Sequence, residues 1–144
     1  DKLKDVILFG SFARENAVYL AKHRINTAKE DLETAIDLLK MRRYKGAINR
    51  AYYAIFHSMR AVLALEGVDF KKHSGVIIFF RQSYIKTGIF DTVFSEIIQK
   101  ASFIRNESDY NDFYIASKEE AEEQTENAVK FYEEVVKYIE SKNG

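Results

Sequence analysis

Three groups of residues in this chain have side chains and spacings suited to chemistry on a phosphate. The first is Arg105, Asn106, Asp109 and Tyr110. On a helix, Arg105 with Asp109 and Asn106 with Tyr110 make two i, i+4 pairs, so four polar groups gather at one place. The planar guanidinium of Arg can hold a phosphate through two parallel hydrogen bonds. The second group is Arg50, Tyr53, His57 and Arg60, which recur at spacings of three and four. Such a basic, aromatic stripe could face a phosphate and stack a base. The third is Lys71, Lys72 and His73. Cations at the start of a helix oppose its dipole, and a bound anion would offset that. His is the side chain whose ordinary pKa suits proton transfer near neutrality.

Each group also has a purely structural reading. Arg105 and Asp109 can form a helix-end ion pair, worth about 0.3–0.5 kcal/mol if exposed. Tyr53 and His57 can be core residues, with Arg50 paired to an acid such as Asp31 or Asp37. Lys71 to His73 can be an ordinary solvated turn. His23, His57 and His73 lie far apart in the sequence, with no ligand-like spacing. No metal site and no cofactor are expected.

The elements that must position these groups read as helices. The 144 residues include no Pro and 6 Gly, fewer breakers than a turn-rich β fold uses. Helix one is expected from about Ala17 to Lys40, where Val18, Ala21, Ile25, Ala28, Leu32, Ala35 and Leu39 step by three and four. Helix two, about Tyr44 to Leu65, is apolar on nearly every side and should be central; Gly67 fits its C-terminal cap. A shorter helix three runs from about Ser74 to Ile85. Helix four starts at Phe90 and ends between Arg105 and Tyr110, followed by a loop over 111–116. Ser117-Lys-Glu-Glu120 is a capping box that opens helix five, which reaches about Glu140. The expected fold is all-α: an antiparallel bundle of four long helices plus one shorter helix. Residues 1–16 form a short strand-like N-terminal extension, and 17–144 form the bundle domain.

Hydrophobic residues make up 47% and charged residues 31%, as in a soluble globular domain. Disulfides and thiolate metal sites are excluded because Cys is absent. No apolar run approaches the roughly 20 residues that span a bilayer, and no signal-peptide pattern opens the chain. A cytoplasmic location without membrane contact is expected. The formal net charge is 0, so any nucleic-acid contact must use a local patch. Residues 117–142 hold 8 acids and 4 bases, which leaves 14 acids and 18 bases elsewhere.

Three stretches together resemble the HEPN domain family. They are Asn49-Arg50-Ala51-Tyr52-Tyr53-Ala54-Ile55-Phe56-His57, Lys72-His73-Ser74-Gly75-Val76, and Arg105 through Phe113 before the capped last helix. The resemblance implies a homodimer with a site near the interface, and RNA or a nucleotide as ligand. Nuclease members of that family carry an Arg, four to six residues, then a His; the ribose 2′-hydroxyl attacks the adjacent phosphorus without a metal. Here Tyr110, Asn111 and Asp112 stand at the His positions. The resemblance therefore implies a weak or degenerate endoribonuclease site at Arg105, Asn106, Asp109 and Tyr110. Arg50, Tyr53, His57, Lys72 and His73 are the expected nucleotide-binding residues. The alternative is a non-catalytic module for dimerisation and partner docking. Residues 5–16, with Gly10-Ser11-Phe12-Ala13-Arg14, resemble the opening of a minimal nucleotidyltransferase. Such enzymes accompany HEPN proteins in toxin–antitoxin pairs, which implies a nucleotidyltransferase partner.

Overall fold

The computed structural model describes residues 6–8 and 14–143. The Gly10–Ala13 turn of the nucleotidyltransferase-like stretch lies outside them. Five helices occupy the described residues: α1 Arg14–Lys40, α2 Tyr44–Leu65, α3 His73–Phe80, α4 Val93–Tyr110 and α5 Lys118–Asn143. The fold is all-α, with four long helices and one short one. Two three-residue strands, β1 Val6–Leu8 and β2 Val68–Phe70, pair antiparallel with Ile7 opposite Asp69. None of the described helices is long and apolar enough to cross a membrane.

α2 is the central element, as its all-round apolar character requires. It packs against α1, α3, α4, α5 and β2. Ile48, Ile55, Met59 and Leu63 are almost fully buried along it. Beyond its end, Gly67 adopts a φ of 69° and donates its N–H to the Ala64 carbonyl at 3.0 Å. That left-handed turn starts β2 immediately. On α5, the buried face centres on Phe131, which is fully buried, while the neighbouring Tyr132 is half-buried. The Phe131 ring lies 5.6 Å from those of both Phe80 and Phe94, tying α3, α4 and α5 together.

The capping box forms as expected. Glu120 donates its N–H to Ser117 Oγ at 3.0 Å, and Ser117 returns its own N–H to Glu120 Oε1 at 3.4 Å. The Tyr114 hydroxyl donates to the same carboxylate at 2.7 Å, which ties the 111–116 loop to the start of α5.

α1 starts at Arg14 rather than Ala17 and α5 runs to Asn143 rather than Glu140, and two further boundaries differ from the sequence reading. Helix four begins at Val93 rather than Phe90, although Phe90 is buried in the same core. Asp91 accepts the N–H of Val93 through its side chain and that of Phe94 through its carbonyl, so the helix starts there. Helix three is α-helical only to Phe80; residues Arg81–Ile85 form a π-helical turn, closed by Lys86 N–H to the Arg81 carbonyl at 2.8 Å. The wider turn puts the adjacent Tyr84 and Ile85 both inside the core.

Gly75 lets α3 sit against β2. A Cβ at this position would lie 2.6 Å from Phe70 Cδ1, closer than side chains tolerate. Gly75→Ala is therefore expected to destabilise the fold by about 1–3 kcal/mol, as overpacking does, read as a lower midpoint in urea unfolding. An unchanged midpoint would show that Phe70 moves aside freely.

Candidate functional site

The stripe read on α2 faces one partly open side of the bundle. Arg50, Tyr53, His57 and Arg60 are all half-buried there, while Tyr52, Ile55, Phe56 and Met59 between them are core residues. Arg105 reaches this stripe from α4. Its Nη2 donates to the Tyr53 hydroxyl at 3.1 Å. Its guanidinium carbon lies 5.1 Å from the Tyr52 ring centre and 5.6 Å from that of Tyr53. The Nε of Arg105 is 3.0 Å from Asp109 Oδ2, so the expected i, i+4 ion pair is present.

Arg50 approaches Tyr53 as well, with its guanidinium carbon 4.9 Å from the ring centre. Its Nη1 donates to Asp31 Oδ1 at 2.9 Å, which is the pairing with a helix-one acid that the structural reading anticipated. Tyr53 thus has two guanidinium groups within cation–π range. Both ion pairs of the structural readings form here, while Tyr53 and His57 stay half-buried rather than in the core: each Arg has a carboxylate, and each still faces the same phenol ring.

Two histidines complete the cluster. The His73 ring stacks on Phe56 at 3.9 Å and meets the Tyr53 ring edge-on at 5.8 Å. Its Nδ1 shares a hydrogen bond with the Tyr52 hydroxyl at 3.0 Å. His57 stacks on Tyr53 at 6.0 Å, and its Nε2 lies 3.9 Å from Asp31 Oδ2. Burial, then Arg60, Arg24, His73 and Arg50, push the His57 imidazole down to about 4. His73 is lowered too, by burial and then by Arg105 and Arg60. Both rings are therefore neutral at pH 7. Burial pushes the Tyr52 phenol up to about 12 against the pull of Arg105, so it keeps its proton.

Beneath this cluster lies an ion network that the sequence reading did not contain. Asp69 of β2 accepts from Arg24 Nη2 and from Arg60 Nη2, both at 2.8 Å on Oδ2. Its Oδ1 accepts the Phe70 N–H at 2.8 Å. Arg24 is only 8% exposed. One signal was available: Arg24 sits on the apolar stripe of α1 between Ala21 and Ala28, where a charge needs a buried partner.

Two of the predicted residues on α4 turn away from the cluster. Asn106 and Tyr110 are exposed, Tyr110 at 77%, because positions one and five beyond Arg105 turn away from the face that Arg105 and Asp109 share. Lys72 is exposed and directly precedes α3.

The arrangement can hold an anion between fixed cations, shield it with aromatic rings, and offer a neutral imidazole beside it. Comparison with known proteins points the same way as the fold. The sequence profile of the HEPN domain matches residues 21–142. A Methanocaldococcus jannaschii protein named "Putative toxin MJ0142" is 34% identical over 119 residues, covering 83% of this chain and 81% of that protein. A second from that organism, "Putative toxin MJ0605", is 38% identical over 86 residues, covering 60% of this chain and 64% of its own length. A Thermotoga maritima "UPF0332 protein" is 33% identical over 113 residues, or 78% and 86% of the two chains. With a match over that span and helices in that order, the chain belongs to the HEPN domain family.

Proposed function

We propose that this chain is the toxin-type member of a toxin–antitoxin pair and binds RNA through a backbone phosphate at the Arg105 cluster. The observation that carries this reading is the convergence of Arg50 and Arg105 on Tyr53 from two helices. Around it Arg24, Arg50, Arg60 and Arg105 outnumber Asp31, Asp69 and Asp109 in the ion pairs of the described residues, which leaves one guanidinium more than carboxylates. The neutral chain thereby gains the local basic patch that RNA contact requires. The names of the two Methanocaldococcus relatives support the toxin role.

The test uses a fluorescein-labelled single-stranded RNA with 2′-O-methyl sugars, read by anisotropy. Arg105→Ala is expected to weaken binding by about tenfold or more, the loss for one charge-assisted contact. Affinity should also fall steeply with added salt. Equal affinity of wild type and Arg105→Ala would remove the basis of this reading.

A second surface favours the docking alternative as an addition to this role. Phe103 and Tyr110 on α4, and Phe113 and Ile115 in the loop after it, are large apolar side chains left exposed, Phe113 at 92%. Exposed apolar groups of this number along one stretch of chain suit an interaction surface. The homodimer implied by the family resemblance would cover it, and a nucleotidyltransferase partner is the competing occupant. Phe113→Ser with Ile115→Ser is expected to shift a dimer to monomer in sedimentation velocity. A variant that stays dimeric removes this surface from the homodimer interface.

A further inference from the structure

Four bases, Lys40, Arg42, Arg43 and Lys45, crowd the turn between α1 and α2, and all four are exposed. The nearest acid in the sequence is Asp37. Among the described residues, no ion pair engages any of the four side chains.

Local structure does not ask for all of these residues. Lys40 suits the last turn of α1, where a cation meets the negative end of the helix. Arg42 has no such reason: its φ is 62°, in the left-handed region that Gly and Asn occupy with less strain. Arg43 is the N-cap of α2, and its side chain makes no capping hydrogen bond, as Asn or Ser would. Two adjacent positions therefore keep Arg against the preference of the backbone. Conflicts of this kind gather at functional positions.

The turn is also in line with the Arg105 cluster. Arg43 precedes Arg50 by seven residues and His57 by fourteen, so it opens the stripe of α2 that continues through Arg50, Tyr53 and His57. No Asp or Glu occurs anywhere on α2. At 1.5 Å per residue, Arg43 stands about 15 Å along the helix from Tyr53, the ring that Arg50 and Arg105 share.

We propose that the turn between α1 and α2 is a second phosphate-binding site for one RNA strand, with Arg42, Arg43 and Lys45 as its contacts. The proposal rests on the reading that the Arg105 cluster holds an RNA phosphate. It narrows the ligand to a single strand long enough to reach both places. With about 3.4 Å between phosphates along a strand, that separation is about four or five nucleotides. An acidic protein segment is the competing occupant. RNA is favoured because the turn continues a stripe in which Tyr53 offers a base a stacking face, which an acidic segment would leave unused.

The experiment reads the anisotropy of two fluorescein-labelled 2′-O-methyl RNAs, of ~3 and ~12 nucleotides, over a series of salt concentrations. Wild type is expected to bind the longer RNA about tenfold or more tighter than the shorter one, with a steeper salt dependence. Arg42→Asn combined with Arg43→Asn should lose most of that advantage and make the salt slope shallower by about one. Asn suits both backbone positions, so the urea midpoint of this variant should hold or rise, which separates a lost contact from a lost fold. Adding Lys45→Gln should remove the rest of the advantage, and Arg105→Ala should weaken both RNAs. An equal preference for the longer RNA in wild type and the double variant overturns the proposal and leaves the Arg105 reading intact. Competition by deca-glutamate as strong as that by an unlabelled RNA of equal charge overturns it in favour of an acidic protein segment. Failure of wild type to bind either RNA removes the Arg105 reading, and the proposal with it.

Discussion

Asp69→Ala is expected to lose about 3–5 kcal/mol in urea unfolding, the range for removing one member of a buried ion pair. Asp69 is 7% exposed and accepts from Arg24, Arg60 and the Phe70 N–H. Among the described residues, its removal would leave Arg24 buried beside Arg60, with the Arg60 carbonyl as its acceptor at 3.1 Å. The two guanidinium groups already disfavour each other, as the lowered value of Arg24 shows; burial is the larger cause, and Arg60 adds to it. Asp69→Asn keeps an acceptor for Phe70 without the charge and should fall between. Asp69→Leu combined with Arg24→Met should recover most of the loss, because an apolar pair of similar size replaces the ions. A loss below about 1 kcal/mol for Asp69→Ala would mean that water reaches Arg24 and that the network is an ordinary surface pair. Burial raises the Asp69 carboxyl, but the Arg60 hydrogen bonds, the Phe70 N–H and Arg24 outweigh it and hold the folded value below the ordinary one. The stability it contributes is therefore full above the ordinary carboxyl range and lost as pH falls through the depressed value.

A second acid effect is expected from His57. Its ordinary value near 6.5 applies to the unfolded chain, and the folded value is about 4. Above pH 6.5 the ring is neutral in both states and has no effect on the balance. Between pH 6.5 and 4 the unfolded chain takes up a proton that the folded site refuses, so stability falls with pH. At 1.36 kcal/mol per pH unit the whole window is worth about 3 kcal/mol. Asp31, 3.9 Å from Nε2, counters this only weakly because Arg50 already engages its carboxylate. His73, also lowered, adds a fall of the same sign. Urea midpoints measured from pH 7.5 to 4.5 should drop accordingly. His57→Gln should flatten part of that slope, and His57→Gln with His73→Gln should flatten most of it. An unchanged slope in the double variant would place the acid sensitivity on the carboxylates instead.

Much of the bundle was legible because local rules write it into the chain. The ends of α2 were read to the residue, and the Ser117–Glu120 box and the Gly67 turn formed where their chemistry requires. β2 was not legible: Val68-Asp69-Phe70 is too short for a period, and its partner strand lies 60 residues earlier. The π-helical turn at Arg81–Ile85 was hidden because five residues are too few for side-chain spacing to tell one helix type from the other. At the site, the Arg105–Asp109 pair followed from spacing and charge, and Arg50 was expected on a helix-one acid, Asp31 or Asp37, of which the fold selects Asp31. The meeting of Arg105 with Tyr53 did not, since 52 residues separate them and only the packing of α4 on α2 sets it. Tyr52 and Phe56 looked like plain core, and they are core, yet they also hold the His73 ring.

On α2, core and site residues interleave along a single helix: Arg50, Tyr53, His57 and Arg60 beside Tyr52, Ile55, Phe56 and Met59. A mutational walk that retunes the ligand preference of this protein therefore has little neutral ground on α2. Nearly every step there alters packing too, and a frameshift of the stripe by one position exchanges cations for hydrophobes. Substitution at low structural cost is thus channelled to the 111–116 loop, where Phe113 and Ile115 are exposed and can change with the fold undisturbed.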